Sequence, residues 1–180
     1  YQAGDAITIG VYNTAIGTAA LGAETVGDRS TAVGHQALFL QVSDSDNEEA
    51  RNTGIGMYAG HYNVTGQNNT SLGYRAGMGV SSKSHSGSTF IGSYAGQTAY
   101  TGDNNIAIGS YAMGDIDVDA TVGASTENVF IGNQAGGGTW VTAATDSCVA
   151  VGNNALSGAL TGAGDGTVAV GRSALAALTS

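Results

Sequence analysis

The chain has 180 residues, of which 30 are glycine, one is cysteine and none is proline, and 11% are charged. This length fits one domain or one repeat array. Glycine exceeds its usual share of about 7%, yet the absence of proline and of a Gly-X-Y period excludes a collagen-like chain, and 42% hydrophobic residues argue against disorder. A net charge of −9 argues against nucleic acid and anionic membranes as partners.

Cysteine usage and hydropathy give weaker limits. Cys148 has no partner for an intrachain disulfide, so the fold must be stable without one. No run of residues approaches the roughly 18 apolar residues of a membrane-spanning helix, so we expect no membrane insertion. The N-terminus shows no basic region followed by an apolar run, and we expect any export signal to lie outside this sequence.

One short pattern, Asn/Ser-Thr/Val-x-Ile/Val-Gly-x-x-Ala, recurs along the chain. Nine full copies occupy 13–17, 30–34, 52–56, 69–73, 88–92, 105–109, 128–132, 148–152 and 167–171, and a truncated copy occupies 6–10. An alanine stands three residues after each full-copy glycine, at Ala20, Ala37, Ala59, Ala76, Ala95, Ala112, Ala135, Ala155 and Ala174. The copies are 17 to 23 residues apart, a period typical of a solenoid rung.

Each repeat predicts two short strands. The residues before the glycine favour β-structure, and a second apolar residue follows it by seven to nine places, as at Val26, Val42, Val64 and Val80. We therefore predict an all-β fold, a parallel β-roll or β-solenoid of nine to ten two-strand rungs that forms a single domain over 1–180. The rungs are anchored at Gly10, Gly17, Gly34, Gly56, Gly73, Gly92, Gly109, Gly132, Gly152 and Gly171.

Stacking of identical rungs assigns a role to each motif position. The aliphatic row is expected to fill the interior as the structural core: Ile16, Val33, Ile55, Leu72, Ile91, Ile108, Ile131, Val151 and Val170. The alanine is expected where the turning chain leaves little room, and the glycine where positive φ or close backbone approach is needed. The Asn/Ser row at the motif start predicts a ladder of side-chain hydrogen bonds.

The opposite face of the main strand is also small or apolar, with Ala15, Phe90 and Phe130 among its residues. A strand that is apolar on both faces is expected to be buried on both. One face would pack within the chain and the other against identical chains, so we predict a homo-oligomer, a trimer.

The motif resembles the repeats of YadA-like trimeric adhesin heads and the longer Asn-Thr-x-Ile-Gly-x-x-Ala repeats of phage tail fibres, most closely at 88–96 and 128–136. The resemblance covers 6–180 and implies a left-handed β-roll assembled as a trimeric rod in an extracellular fibre. This chain differs from the adhesins in its longer, uneven rungs, and we expect it to lack their stalk and anchor. We also expect it to lack the C-terminal chaperone domain of many phage fibres.

Two sets of residues are candidates for ligand binding. Tyr58, Arg75, Tyr94 and Tyr111 lie two residues past the motif glycine in consecutive repeats, and together with Trp140 they form a candidate stripe for stacking a sugar ring. Turn packing or contact between chains explains the same row. Two acidic segments with Asp44, Asp46, Asp115, Asp117 and Asp119 lie in the longest repeats and are candidates for Ca²⁺, with solvated loops as the alternative.

Other chemistry finds little support in the sequence. His35, His61 and His85 have no partner at zinc-ligand spacing and are expected to be exposed turn residues. A hexapeptide-repeat acyltransferase would need the pattern in every segment of each coil, whereas only one segment per repeat carries it. An ice-binding solenoid would need an exposed threonine array, but Thr14, Thr31, Thr53, Thr70 and Thr89 share a face with the expected core.

These patterns together predict a non-enzymatic, structural and adhesive segment of an extracellular fibre, from a phage tail or a bacterial surface. The acyltransferase and the ice-binding solenoid are the alternatives. Expected partners are further copies of the chain, as a homotrimer and through end-to-end stacking, and a cell-surface glycan or protein receptor. Because the repeats run to the end at Ser180, we expect a segment of a longer fibre or a subunit of a filament.

Overall fold

The computed structural model describes residues 2–43, 49–81, 83–98, 102–114, 125–138, 145–158 and 164–177. Strands are the only regular elements in these ranges. The strands are β1 (Thr14–Ile16), β2 (Thr31–Val33), β3 (Thr53–Ile55), β4 (Thr70–Leu72), β5 (Thr89–Ile91), β6 (Ile106–Ile108), β7 (Val129–Ile131), β8 (Val149–Val151) and β9 (Val168–Val170). Each strand is the centre of one motif copy.

The nine strands form one parallel sheet in sequence order. Equivalent residues pair directly, as Thr14 with Thr31 and Ile16 with Val33, and this register holds through β8 and β9. The chain is therefore an all-β solenoid, as the repeat predicts, in which neighbouring rungs lie about 4.8 Å apart. No helix long and apolar enough to cross a membrane occurs in the part of the chain that the structure describes.

The predicted second strand of each rung is absent from the described rungs. Val26, Val42, Val64 and Val80 lie in bends or irregular segments outside every strand. These segments still hydrogen-bond between rungs, for example from the N–H of Val42 to the carbonyl of Val64 at 2.8 Å. Residues with positive φ bound these segments, as Leu21 and Arg29 do on either side of Val26.

The segment at 6–10 is also placed differently from the prediction. A Cβ on Gly10 would lie 2.5 Å from the carbonyl oxygen of Gly27, so Gly10 stacks on Gly27 and not on the motif glycine Gly17. The N–H of Thr8 correspondingly donates to the carbonyl of Thr25 at 2.9 Å. Residues 6–10 therefore belong to the second half of a rung, and their similarity to the motif is local.

The two faces of the main strand are reversed relative to the prediction. The middle residue of each strand points inward, and it is buried in every strand except β1, where Ala15 is half-buried. The aliphatic row predicted as core lies on the outer face and is half-buried or exposed: Ile16, Val33, Ile55, Leu72, Ile91, Ile108, Ile131, Val151 and Val170. The solenoid is narrow, and its interior takes the small or flat residues at the middle position instead.

The interior is filled by an alternation of large and small residues. Phe90 and Phe130 are buried at the middle strand position, and Gly96 and Gly136, six residues later, face their rings. A Cβ on Gly96 would lie 2.3 Å from a ring carbon of Phe90. Rungs with alanine at the strand position instead carry Leu21, Leu38, Met113 or Leu156 six residues later, and these side chains are buried. Six of the nine rungs thus supply their volume from one of two positions, whereas rungs three and four have Gly or Ser at both.

The motif glycine and alanine behave as predicted. The nine motif glycines have φ between 120° and 136°. A Cβ on Gly109, for example, would lie 2.4 Å from the carbonyl oxygen of Gly132, so these positions also require close backbone approach. The alanines from Ala20 to Ala155 are completely buried, and Ala174 in the last rung is partly buried.

Candidate functional site

The four residues Tyr58, Arg75, Tyr94 and Tyr111 form one column on consecutive rungs, which we call the aromatic column. All four have left-handed backbone conformations, with φ between 56° and 62°. The backbone N–H of Tyr94 donates to the carbonyl of Tyr74 at 2.9 Å, and the equivalent bond from Tyr111 to Ser93 is 3.0 Å. The structure thus brings together four of the five residues that the sequence nominates for ligand binding.

The later part of the aromatic column, Tyr94 and Tyr111, is occupied by stacking of its own rings. The rings of Tyr94 and Tyr111 are nearly parallel, at an interplanar angle of 13° and a centroid distance of 4.6 Å, and the ring of Tyr74 meets that of Tyr94 edge-on. Since the rung spacing places two rings in van der Waals contact, the facing surfaces of Tyr94 and Tyr111 are not available to a sugar. This half of the column fits the packing alternative.

Arg75 interrupts the column and has an unusual environment. Its guanidinium carbon lies 5.2 Å from the ring centroid of Tyr74, 5.7 Å from that of Tyr58 and 6.0 Å from that of Tyr94. No carboxylate pairs with it within the described ranges, and its buried Nε has no hydrogen-bond acceptor there. Arg29 and Arg51, by contrast, both pair with Glu49.

A surface pocket of about 300 Å³ opens beside Arg75. It is lined by Gln36, Tyr58, His61, Tyr62, Arg75 and Met78. Its volume is at the lower end of the range of small-ligand sites, which is about 300 to 1,000 Å³. The lining combines a cation, two phenol rings and an imidazole, groups that can contact both the faces and the polar edges of a small ring.

His61 is held rigidly in this pocket. Its ring stacks on Phe39 at 5.3 Å and meets Tyr62 edge-on at 4.4 Å. Burial lowers the pKa of His61, so its neutral form is favoured. Its Nδ1 lies 3.3 Å from the carbonyl oxygen of Gln36, which can only accept, so Nδ1 carries the proton and Nε2 is left as the acceptor.

The sequence predicts that all three histidines are exposed turn residues, and the structure contradicts this for two of them. His61 and His85 are buried, whereas His35 is exposed. His85 lies against Phe90 inside the solenoid, and its Nδ1 is 3.1 Å from Oδ1 of Asn69. Its position sixteen residues after Asn69 gives no periodic signal, because it lies in the variable part of the rung.

A second buried polar group, Glu24, was not singled out from the sequence. Its carboxylate accepts the backbone N–H of Gly27 at 2.8 Å and the side-chain N–H of Gln41 at 2.9 Å. Burial alone would raise the pKa of Glu24, but the bonds from Gln41, Gly27, Ser43 and Val26 together lower it. The group is therefore a satisfied structural carboxylate.

Six predicted site residues lie outside the described residues: Trp140 in the candidate sugar-binding set and Asp44, Asp46, Asp115, Asp117 and Asp119 in the candidate Ca²⁺ set. In the ranges that are described, no group of three or more His, Cys, Asp or Glu side chains is arranged to hold a metal ion. The Ca²⁺ prediction therefore stays a prediction.

The lone thiol of Cys148 occupies the Asn/Ser position of its rung and is buried. Burial is the largest effect on its pKa and raises it, so the unreactive thiol form is favoured.

Comparison of the chain with family models, curated proteins and solved structures found no match to any of the three.

Proposed function

We propose that this chain is a non-catalytic structural and adhesive segment of an extracellular fibre, from a phage tail or a bacterial surface, and that it assembles as a homotrimer. The observation that carries the proposal is the outer face of the sheet. Nine in-register strands present Thr, Ile, Val and Leu side chains outward, and this face keeps much of its apolar surface exposed, with Ile55 at 37% and Leu72 at 42%.

A continuous apolar face of this kind indicates a partner surface. Every rung offers the same pair of outward positions, so the face that most naturally matches it in repeat spacing is the same face of another copy. Its burial between copies would add the second core that a strand apolar on both faces requires. The choice of a trimer over a dimer, and the extracellular adhesive role, come from the motif resemblance.

The test is the oligomeric state of the purified chain. Sedimentation equilibrium is expected to give three times the chain mass of 17.7 kDa. Ile55→Asp and Leu72→Asp introduce a charge into the outer face and are expected to yield folded monomers. Asn133→Asp introduces the same charge on an exposed turn and is the matched control, expected to leave the trimer intact. A wild-type monomer would overturn the proposal.

Ice binding is a second candidate, because the structure removes the reason for rejecting it. Thr14, Thr31, Thr53, Thr70 and Thr89 lie on the outer face, in one row with the spacing of the rungs. The sequence predicts, by contrast, that this row is covered together with the core. A flat array of threonines beside a row of aliphatic residues is a regular surface that ordered water could match.

Ice binding and trimer assembly use the same face, so one pair of measurements separates them. A monomer with thermal hysteresis would support ice binding, and a trimer without hysteresis would support the fibre. Beyond rung five the threonines give way to Ile106, Val129, Val149 and Val168, which favours burial of the face between copies.

A further inference from the structure

The pocket beside Arg75 lies on the turn side of the solenoid, away from the outer sheet face. It is formed by residues of three consecutive rungs: Gln36 from the second, Tyr58, His61 and Tyr62 from the third, and Arg75 and Met78 from the fourth. Arg75 occupies the place in the aromatic column where the rungs on either side carry Tyr58 and Tyr94.

The positive charge of Arg75 has no paired carboxylate among the described residues. The whole chain carries five Lys and Arg against fourteen Asp and Glu, yet Arg75 pairs with no described carboxylate. Its Nε is buried without a hydrogen-bond acceptor among the described residues. The rings of Tyr58, Tyr74 and Tyr94 contact the guanidinium through cation–π interactions, which do not neutralise its charge.

We propose that this pocket binds a single pyranose ring that carries a carboxylate group, as in a uronic acid. The planar guanidinium of Arg75 matches a carboxylate in geometry and charge. The phenol rings of Tyr58 and Tyr62 and the side chain of Met78 offer apolar contact to the faces of the sugar ring. Nε2 of His61 and the side-chain amide of Gln36 supply an acceptor and further polar contacts for its hydroxyl groups.

This inference deepens the proposed adhesive function, because it names the chemical class of the receptor, and it rests on that function for its biological meaning. The binding itself does not depend on assembly. A monomer that binds the acidic sugar would overturn the trimer and keep the pocket, whereas a trimer that does not bind it would overturn the pocket alone.

The experiment compares two sugars that differ at one carbon, D-glucuronate and D-glucose, by NMR titration of the full chain. Glucuronate is expected to give saturable shifts of the tyrosine and histidine ring signals at millimolar concentration, with at least ten-fold weaker binding of glucose. Inorganic phosphate is titrated in parallel. If glucose binds as tightly as glucuronate, the cation of Arg75 is not used. If phosphate binds as tightly as glucuronate, the sugar ring is not recognised. Either result overturns the proposal.

The decisive variant is Arg75→Gln. Glutamine already occupies the same position of the rung at Gln36 and Gln134, with φ of 53° and 54°, so the fold accommodates it. The variant is expected to lose the ten-fold preference for glucuronate. Arg172→Gln removes an equal charge from an exposed site in the last rung and is expected to bind as the wild type does. Unchanged glucuronate affinity in Arg75→Gln would overturn the proposal.

Discussion

The backbone N–H of Asn69 donates to Oδ1 of Asn52 in the preceding rung at 2.9 Å, and this relationship is repeated along the solenoid interior. The N–H of Asn128 donates to Oδ1 of Asn105 at 3.0 Å, and that of Cys148 donates to Oδ1 of Asn128 at 2.9 Å. Where serine replaces asparagine, as at Ser88, its hydroxyl accepts instead. From Ser30 to Asn128 the first motif residue is therefore a buried acceptor that joins consecutive rungs.

The ladder predicts a large cost for Asn69→Ala. Oδ1 of Asn69 accepts the N–H of Ser88 at 3.0 Å, and its Nδ2 donates to the carbonyl of His85 at 2.8 Å. Removing the amide leaves these buried groups without partners, so the free energy of unfolding should fall by roughly 2 to 4 kcal/mol. Urea denaturation followed by circular dichroism measures this change.

Two further variants show whether the ladder is the cause. Asn69→Ser retains an oxygen like those of Ser30 and Ser88, and it should recover part of the loss. Asn133→Ala removes an exposed amide with a 3.2 Å bond to the carbonyl of Ser110 and should change stability by less than about 0.5 kcal/mol. Equal losses in the Asn69 and Asn133 alanine variants would show that the buried ladder contributes nothing special.

The motif glycines allow conformational strain to be separated from close approach. Gly109 and Gly171 have similar φ values of 130° and 122°. A Cβ on Gly109 would meet the carbonyl oxygen of Gly132 at 2.4 Å, whereas a Cβ on Gly171 has nothing within 4 Å. Gly171→Ala should therefore cost about 1 to 3 kcal/mol from strain alone. Gly109→Ala should cost clearly more, because the rungs must also separate. Equal thermal denaturation midpoints for Gly109→Ala and Gly171→Ala would contradict this.

The sequence predicts the one-dimensional features of the fold well. Period, the position of the main strand, parallel register and the roles of glycine, alanine and asparagine follow from which residues recur at fixed spacing, whereas the expected second strand does not form in the described rungs. Which face of the strand points inward was harder to predict, because both faces are small or apolar. Alternation shows that Thr31 and Val33 share a face, but it does not say which face is inside. The narrow interior, which a single rung does not reveal, decides in favour of Ala32.

The candidate site was predictable in part. Regular spacing places Tyr58, Arg75 and Tyr94 in one column, and the structure confirms that neighbourhood. The other lining residues were not nominated, although His61 stands five residues past its motif glycine, where the preceding rung carries Phe39 and the next carries Met78. The spacing at this position is regular and His61 stacks on Phe39, but the residue type changes from rung to rung, so no recurring pattern marks it.

His85 predicts a pH dependence of stability. Burial lowers its pKa to about 4 from an ordinary value of 6.5. Between these values the unfolded chain binds a proton that the folded chain does not, so stability falls as pH decreases from 6.5 towards 4. Denaturation at pH 5 should give an unfolding free energy roughly 2 kcal/mol below that at pH 7.

The source of this pH effect can be checked by substitution. His85→Gln removes the titrating ring and should flatten most of the slope between pH 5 and pH 7. His61→Gln should remove a smaller part, since burial also lowers the pKa of His61. A wild-type protein equally stable at pH 5 and pH 7 would contradict the assignment of His85 as a buried neutral group.

The exchange of volume within a rung predicts that two damaging substitutions compensate each other. Phe130 fills the interior beside Gly136, and the next rung fills the same space with Ala150 and Leu156. Phe130→Ala should cost about 3 to 5 kcal/mol by leaving a cavity, and Gly136→Leu should be destabilising because the new side chain meets the Phe130 ring. The φ of 60° at Gly136 is not an obstacle, since Leu156 has 51° at the same position.

The double variant Phe130→Ala, Gly136→Leu recreates the combination of the next rung. It should be more stable than either single variant, with a favourable coupling of at least about 2 kcal/mol in a double-mutant cycle by urea denaturation. Gly137→Leu in the Phe130→Ala background is the control, because position 137 does not face the ring. Additive losses in the double variant would mean that the two positions do not share one interior volume.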